Sequence, residues 1–559
     1  MNTRIVSRSI SIASLLVCAT SFAQSQPQVT LVTLPLPAGG SAPVLTEIDS
    51  AGNVLGSVKI GSRYEVVEWL GGKTPVVFPR LPADQNNSTL DYRAVAINKS
   101  GAVLGYVNPT GFTTGVGVVW DPARHPTAVI NSARVSGLSD TGVISGSTGV
   151  LDEDSEVAAR WPSAGAQPVT LPYASSDNCQ GNCPYFGGVI SPNGKYIAVD
   201  TEPPFGHWRD ITIYVNGVAD SRLTDLAFNV SQIEDTGAFI GAQNSWIASD
   251  ISGGNFYQAA RWDAGVYTLF PSLPGAAPGT VFESRALSAN SNGVTVGYSQ
   301  VRPGIWDMHA VMWTQGQIID LQPQFANQLP ANWTAVQAFG LNDSGSFIVA
   351  AAPPNTDEWT YYVAKPLIPT RTTITSNINP STYGQQIHLV AKVAPDSGPV
   401  PTTGNVSWYD NGALLGTARL TSIGTSSWQP STWTGGVHNV TAVFPASTTL
   451  ASSTSPVFKQ TVNAATTRTT VSASPSPATH GQAVKFTATV VPSSGTIAGT
   501  VTFKSGGTVL GTGTIDARTK QTWLTTSFAK AGSYAITASF AGSQNFVASS
   551  STVVTLTVK

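Results

Sequence analysis

At 559 residues the chain exceeds one ordinary domain, and a working size of about 150 residues per domain predicts three to four. Only 11% of residues are charged, less than half of the roughly 25% usual in soluble proteins, while Gly (53) and Pro (37) are frequent, which disfavours helices and predicts an all-β fold of short strands and tight turns. A net charge of -2 without long Lys/Arg runs leaves no electrostatic footprint for nucleic acid or an anionic membrane, so no polyanion partner is expected.

The chain opens with Arg4 and Arg8, an apolar run from Ile10 to Ala19, and Ser21-Phe22-Ala23 before Gln24. Small residues three and one before a cleavage point are what signal peptidase selects, so residues 1–23 are expected to be a signal peptide. The rival reading, a membrane anchor, is disfavoured because the run falls well short of the roughly 20 residues that span a bilayer. Cys18 lacks the small preceding residues of a lipoprotein site, since Leu15-Leu16-Val17 stand there. The mature protein is expected outside the cell, at its surface or in the periplasm, without an integral membrane segment.

From about residue 30 to 368 one unit recurs: an apolar strand, a Ser/Asn/Asp-x-Gly turn, a second strand, a variable loop, Ala-x-x-Trp and a short Leu-Pro-type strand. The turns end at Gly52, Gly101, Gly142, Gly194, Gly237, Gly293 and Gly345, and the aromatic positions read Trp69, Trp120, Trp161, Tyr214, Trp262, Trp313, and Tyr361 or Tyr362. Glycines 41 to 56 residues apart fit blades of four short strands, and the Asx-x-Gly turns supply the positive φ that a tight hairpin needs. Residues 27–368 are therefore predicted to form a seven-bladed β-propeller, with the aromatic residues packed between blades.

Six units end in a fourth strand, such as Val76–Pro79 or Ile318–Leu321, but the seventh stops at Lys365-Pro366-Leu367. The stretch Val29-Thr30-Leu31-Val32-Thr33-Leu34-Pro35 has the missing character and is predicted to supply the last blade's outer strand, which removes two open edges. An open β-solenoid is the alternative. Within the array, Cys179 and Cys183 flank Gln-Gly-Asn and read as a loop-stapling disulfide in an oxidising compartment. A redox or metal role is the alternative, although no nearby His or second Cys pair completes a tetrahedral site.

From Thr370 the strands become Thr/Ser-rich and repeat at about 96 residues, Tyr383-Gly384-Gln385 matching His480-Gly481-Gln482 and Gly404-Asn405-Val406-Ser407-Trp408 matching Gly499-Thr500-Val501-Thr502-Phe503. Two cysteine-free immunoglobulin-like β-sandwiches are predicted, over 370–463 and 466–559. The N-terminal array resembles the extracellular HAF-repeat family, His309-Ala310-Val311-Met312-Trp313 being its nearest copy of that family's segment before Trp. The C-terminal pair looks like bacterial Ig-like repeat domains. These resemblances imply an exported protein and carry no catalytic motif.

No Gly-x-Ser-x-Gly elbow, His-Glu-x-x-His pair, phosphate loop or dinucleotide fingerprint is present, and no cofactor is expected. A glycosidase remains the rival, because two facing carboxylates can come from distant blades. Asp152-Glu153-Asp154-Ser155-Glu156 lacks the spacing of a calcium loop and reads as a solvated hairpin tip. His125, His207 and His309 read as local packing or surface residues. In a four-stranded blade the loop between strands two and three and the loop to the next blade share one face, and the long irregular loops fall there. They carry Tyr185, Trp208, Trp246, Tyr257, Trp306 and Trp359, a candidate surface for an extracellular glycan or protein. Each ring could equally plug its loop against the blade. A monomeric binding protein with the Ig-like modules as spacer is the expected function, and a propeller glycoside hydrolase with an Ig-like tether is the alternative.

Overall fold

The computed structural model describes residues 28–559 apart from 110–114, 150–156, 172–184, 202–209, 224–227, 246–255, 274–282, 302–306, 355, 357 and 431–432. The chain divides into two compact units at Pro366/Leu367. Among the described residues the first holds seven four-stranded antiparallel sheets, each a meander of consecutive strands except the last. Neighbouring first strands touch in succession around the array, which places them innermost in a propeller. In the exceptional sheet, Thr334–Phe339, Phe347–Ala352 and Thr360–Pro366 are joined by Val29–Val32, paired antiparallel with Leu31 opposite Ala364. The N-terminal segment thus closes the ring, as its sequence predicts.

Both recurring glycines have a physical cause. Each turn glycine has positive φ, from 73° at Gly194 to 89° at Gly237. The glycine four residues later faces a β-bulge in the innermost strand: a Cβ on Gly241 would meet Asn229 O at 1.9 Å, and one on Gly297 would meet Arg285 O at 1.9 Å. In blades four and seven that place holds Ala198 and Val349, and the register there shifts differently.

The tryptophans join blades. Trp69, Trp120 and Trp161 are fully buried, and Trp313 nearly so. Each packs against apolar residues of the preceding blade, as Trp120 does with Leu55, Val66 and Phe78. Each indole N–H also donates to a linker carbonyl: Trp69 to Pro35 O at 2.7 Å, Trp120 to Pro79 O at 2.6 Å, Trp161 to Ile130 O at 2.7 Å and Trp313 to Pro271 O at 2.8 Å. Burying a side chain of that size, roughly 200 Å², contributes about 5 kcal/mol. Pro35 receives from Trp69 what Pro79 receives from Trp120, so the N-terminal segment reproduces the end of a fourth strand down to its hydrogen bond. Two aromatic assignments are corrected by register. The rung of Trp69, opposite Val54, corresponds in blade seven to Ala364, opposite Phe347, and not to Tyr361 or Tyr362. In blade four the rung holds Val215, beside the fully buried Tyr214.

At the Asx-turn face the blades are stitched in a ring. Asn98 Nδ2 donates to Ser139 O at 3.0 Å, Lys99 N to Asp140 Oδ1 at 2.7 Å, Asn193 N to Asp235 Oδ1 at 2.7 Å, Asn290 Nδ2 to Asn342 O at 3.1 Å, and Asn342 Nδ2 to Asp49 O at 2.9 Å. Two further steps use the residue two before the turn. Glu47 Oε2 accepts from Ile97 N at 2.9 Å, and Gln232 Oε1 accepts from Ala289 N at 2.7 Å. The Asn and Asp of the repeat therefore make the turn and also tie it to the next blade.

The second unit contains two sandwiches. In the first, Thr370–Ser376, Leu389–Pro395 and Thr425–Trp428 face a sheet that includes Asn405–Asp410, Ala413–Arg419, Gly436–Phe444 and Phe458–Asn463. The second repeats this with Thr467–Ser474, Ala483–Pro492 and Gln521–Ser527 against Thr500–Ser505, Thr508–Thr514, Gly532–Phe540 and Val554–Val558. Alternation puts Trp408 in one core and Phe503 in the other, both fully buried. The modules touch: Tyr383 meets Phe546 edge-on at 5.1 Å, and Gly435 N donates to Asn545 Oδ1 at 2.7 Å.

Candidate functional site

Antiparallel strands put the loops between strands two and three, and the blade-to-blade loops, at the end opposite the Asx turns. Of the aromatic candidates there, Trp208, Trp246 and Trp306 lie outside the described residues, as do residues 1–23, Cys179, Cys183, His207 and Asp152 to Glu156. Tyr185 opens an innermost strand, Tyr185–Ile190, with its backbone opposite Thr201. Tyr257 is half-buried in Phe256–Asp263, and Trp359, just before Thr360–Pro366, is 41% exposed. An open cavity of about 500 Å³ on this face is lined by Ile60, Ser62, Arg63, Glu65, Val77 and Ser88, and by none of the predicted aromatics. Its one carboxylate is neutralised. Glu65 accepts from Arg63 Nε at 2.9 Å and from Arg80 Nε at 3.0 Å, while Arg80 reaches Asn87 O and Leu90 O at 2.8 and 2.9 Å. That pair fixes the loop to blade two and offers no acid–base dyad.

Counting along the strands gives a more informative arrangement. Five residues before the Trp rung stand Tyr64 in blade one, Tyr257 in blade five and Trp359 in blade seven, so two of the predicted candidates occupy one structural position. Beside Tyr64, the next blade places Arg93 directly opposite Tyr106. Beside Tyr257, the next blade places Arg285 directly opposite Tyr298. Directly opposed residues share a sheet face, so each guanidinium neighbours a phenol. An acid precedes each arginine by two residues: Asp91 accepts from Tyr64 N at 2.9 Å, and Glu283 is hydrogen-bonded to the Tyr298 hydroxyl. The Arg93 guanidinium lies 3.2 Å from the Tyr64 ring centre, a close cation–π contact. Arg285 donates to Asn229 Oδ1 at 2.6 Å and Ser231 Oγ at 3.1 Å. An acid–Arg–Tyr set with an aromatic ring from the preceding blade thus occurs at two blade junctions.

Burial raises Tyr106 and Tyr298 above the ordinary phenol range, and the Glu283 charge pushes Tyr298 the same way. Both phenols remain protonated donors near neutrality. Burial also raises Glu283, against the opposing effects of the Tyr298 hydroxyl and Arg285. The sets combine fixed N–H and O–H donors, a carboxylate acceptor and flat aromatic faces, an inventory suited to gripping a polyhydroxylated or amide-bearing ligand. Elsewhere His309 Nδ1 lies 2.9 Å from Asp320 Oδ2 and His125 Nδ1 lies 3.0 Å from Asp121 Oδ2, local pairs within their own blades. Among the described residues no group of three or more His, Cys, Asp or Glu could hold a metal ion, and no helix is long and apolar enough to cross a membrane. Sequence reasoning singled out Tyr257 and missed its partners. The available signal was the parallel between Asp91-x-Arg93 with Gly105-Tyr106 and Glu283-x-Arg285 with Gly297-Tyr298.

No curated protein sequence matches the chain. Among solved structures it is similar to a prolyl endopeptidase (11% identity, 67% of this chain and 56% of that one, TM-score 0.40). The propeller domain of the Trilobed protease from Pyrococcus furiosus, described as having an open velcro topology, gives 8% identity over 55% of this chain and 92% of that one, with TM-score 0.35. Fibronectin(III)-like modules of Clostridium thermocellum CbhA give 21% identity over 34% of this chain and 92% of theirs, with TM-score 0.14. The chain spans little more than half the length of that prolyl endopeptidase. The model for the bacterial Ig-like domain (group 3) matches residues 374–463 and 471–559, so the C-terminal part of the chain is a pair of bacterial Ig-like domains.

Proposed function

We propose that this is an exported, non-catalytic binding or adhesion-type protein whose propeller loop face recognises a glycan or a protein, with the Ig-like pair as spacer. The reading includes a leader at 1–23, a HAF-repeat-like propeller over 27–368, Ig-like modules over 370–463 and 466–559, a Cys179–Cys183 disulfide, and a monomer that is secreted or held at the surface. The observation that carries it is the duplicated acid–Arg–Tyr set beneath Tyr64 and Tyr257. Donors and acceptors set beside half-buried rings favour a sugar, whose hydroxyls take hydrogen bonds and whose C–H face stacks on an aromatic plane. The rival, a propeller glycoside hydrolase, has the Glu283–Tyr298 pair as support. Against it, burial keeps the Tyr298 phenol protonated, which opposes nucleophilic use.

The test is a glycan array probed with the mature chain, run beside turnover assays on generic glycosides. Binding should weaken by about tenfold or more in Arg285→Ala, since a charged hydrogen bond is worth about 1.5–3 kcal/mol. Product formation abolished by Glu283→Gln would replace this reading with the hydrolase.

A further inference from the structure

The near-neutral total charge conceals an uneven distribution. Residues 28–369 hold sixteen Lys or Arg against twenty-eight Asp or Glu, whereas residues 466–559 hold seven Lys or Arg and a single acid, Asp516. The acidity lies in the N-terminal array, and of the two Ig-like modules, both net basic, the second is the more so. Its three-stranded sheet turns Val484, Phe486, Ala488 and Val490 to the core and the alternate residues outward. Strand register sets the outer face in rows: Ser474, Lys485 and Thr525; then Ser472, Thr487 and Trp523; then Thr470, Thr489 and Gln521. Arg468 and Val491 form the next row, and Lys520 adjoins Gln521, its carbonyl accepting from Val490 N at 2.9 Å. The module's one acid, Asp516, lies opposite Gln521 at the end of its row with its carboxylate accepting from Arg518 N at 3.0 Å and Thr519 N at 2.8 Å, and the rows hold no other acid.

Trp523 stands in this face 57% exposed, while Phe486, Phe503, Phe528, Phe540 and Phe546 of the same module are buried. The Lys485 ammonium lies 4.8 Å from its ring centre. Folding does not require the indole. The sister module has Ser427 opposite Val390 where this one has Trp523 opposite Thr487, on the same scaffold.

Against the expectation from total charge that no polyanion binds, we propose that this sheet face binds an acidic polysaccharide, a chain of sugar rings bearing carboxylates. A sugar's C–H face would stack on Trp523, the Thr and Gln side chains of the neighbouring rows would bond its hydroxyls, and Lys485, Arg468 and Lys520 would pair with its carboxylates. Charge complementarity selects an acidic chain over a neutral one, and a flat, hydroxyl-rich face around a single ring suits a polysaccharide better than a protein surface. This site is separate from the propeller face and does not depend on the reading given for it.

The experiment is affinity electrophoresis of the mature chain in gels containing alginate, a polyuronate, with dextran and an oligothymidylate as comparators. Alginate should retard the protein, added salt should weaken the effect, and dextran should not retard it. Trp523→Ser, which installs the sister module's residue, should weaken retardation by about tenfold. Lys485→Gln, a surface change independent of the indole, should weaken it too. Arg285→Ala should leave it unchanged, which separates this site from the propeller face. The proposal is overturned if alginate does not retard the protein, if both module variants behave as wild type, or if dextran or the oligothymidylate retards it as strongly.

Discussion

Replacing Glu47 by Gln should stabilise the propeller above neutral pH and leave it nearly unchanged in acid. Glu47 sits two residues before its turn and accepts a hydrogen bond from Ile97 N in the next blade. Burial, augmented by the charges of Asp140 and Asp49, lifts its carboxyl from an ordinary 4.5 to about 7, against the opposing effect of the Ile97 N–H. A raised carboxyl contributes stability that is fully present below the unfolded value and is lost as pH rises through the folded one. The rise of about 2.5 pH units corresponds to a ceiling of about 3 kcal/mol, and partial solvent access reduces the expected effect to about 1–2 kcal/mol. Gln is already used at this position. Gln232 of blade five accepts from Ala289 N at 2.7 Å and donates to Ala289 O at 3.0 Å. The assay is thermal unfolding of wild type and Glu47→Gln side by side at about pH 4 and about pH 8, where differences between the two proteins cancel the titration of all other groups. The variant should melt about 2–6 °C higher at the alkaline pH and within about a degree at the acidic one. Equal destabilisation at both pH values, or a difference independent of pH, would refute the assignment of a carboxyl raised by its desolvation.

Trp69→Phe should cost about 2–4 kcal/mol in urea unfolding, because it shrinks a fully buried ring and strips Pro35 O of its indole partner. Trp69→Leu should cost more; a loss below about 0.5 kcal/mol for either would mean that the linker contact is not held in solution. Deleting Val29 to Pro35 exposes the edge of Thr360–Pro366, and should lower the propeller's unfolding midpoint and promote self-association, both visible by scanning calorimetry and size-exclusion chromatography. The transition of the Ig-like pair should stay in place, since each sandwich has its own core.

The repeat is legible in the chain because each of its marks has a local cause. The turn glycines at positive φ, the Asx residues beside them and the alternation that buries Trp408 all follow from rules acting over a few neighbouring residues. Even the closing strand could be read, because Val29 to Pro35 has the composition of the fourth strand that the seventh unit lacks. The shorter aromatic pattern was less secure: in blades four and seven the Trp rung falls on Val215 and Ala364, and nearby tyrosines imitated it.

The loop face illustrates the opposite case. Tyr257 reads in the sequence as an aromatic residue of a long loop and stands instead in the strand Phe256–Asp263, but nothing within its own blade marks Arg285 and Tyr298 as its neighbours. Likewise Trp523 and Ser427 look unrelated until strand register aligns the two modules. The sequence by itself determined the number of blades, the turn chemistry, the closing strand and the two Ig-like copies, since these rest on short-range sterics and periodic burial. Only the tertiary structure decided which blade's arginine lies under which blade's tyrosine, why Glu47 holds its proton, and which face of the last module carries an exposed indole among cations. Those contacts join segments separated along the chain, and their distances are set by strand register and blade packing rather than by any local run of residues.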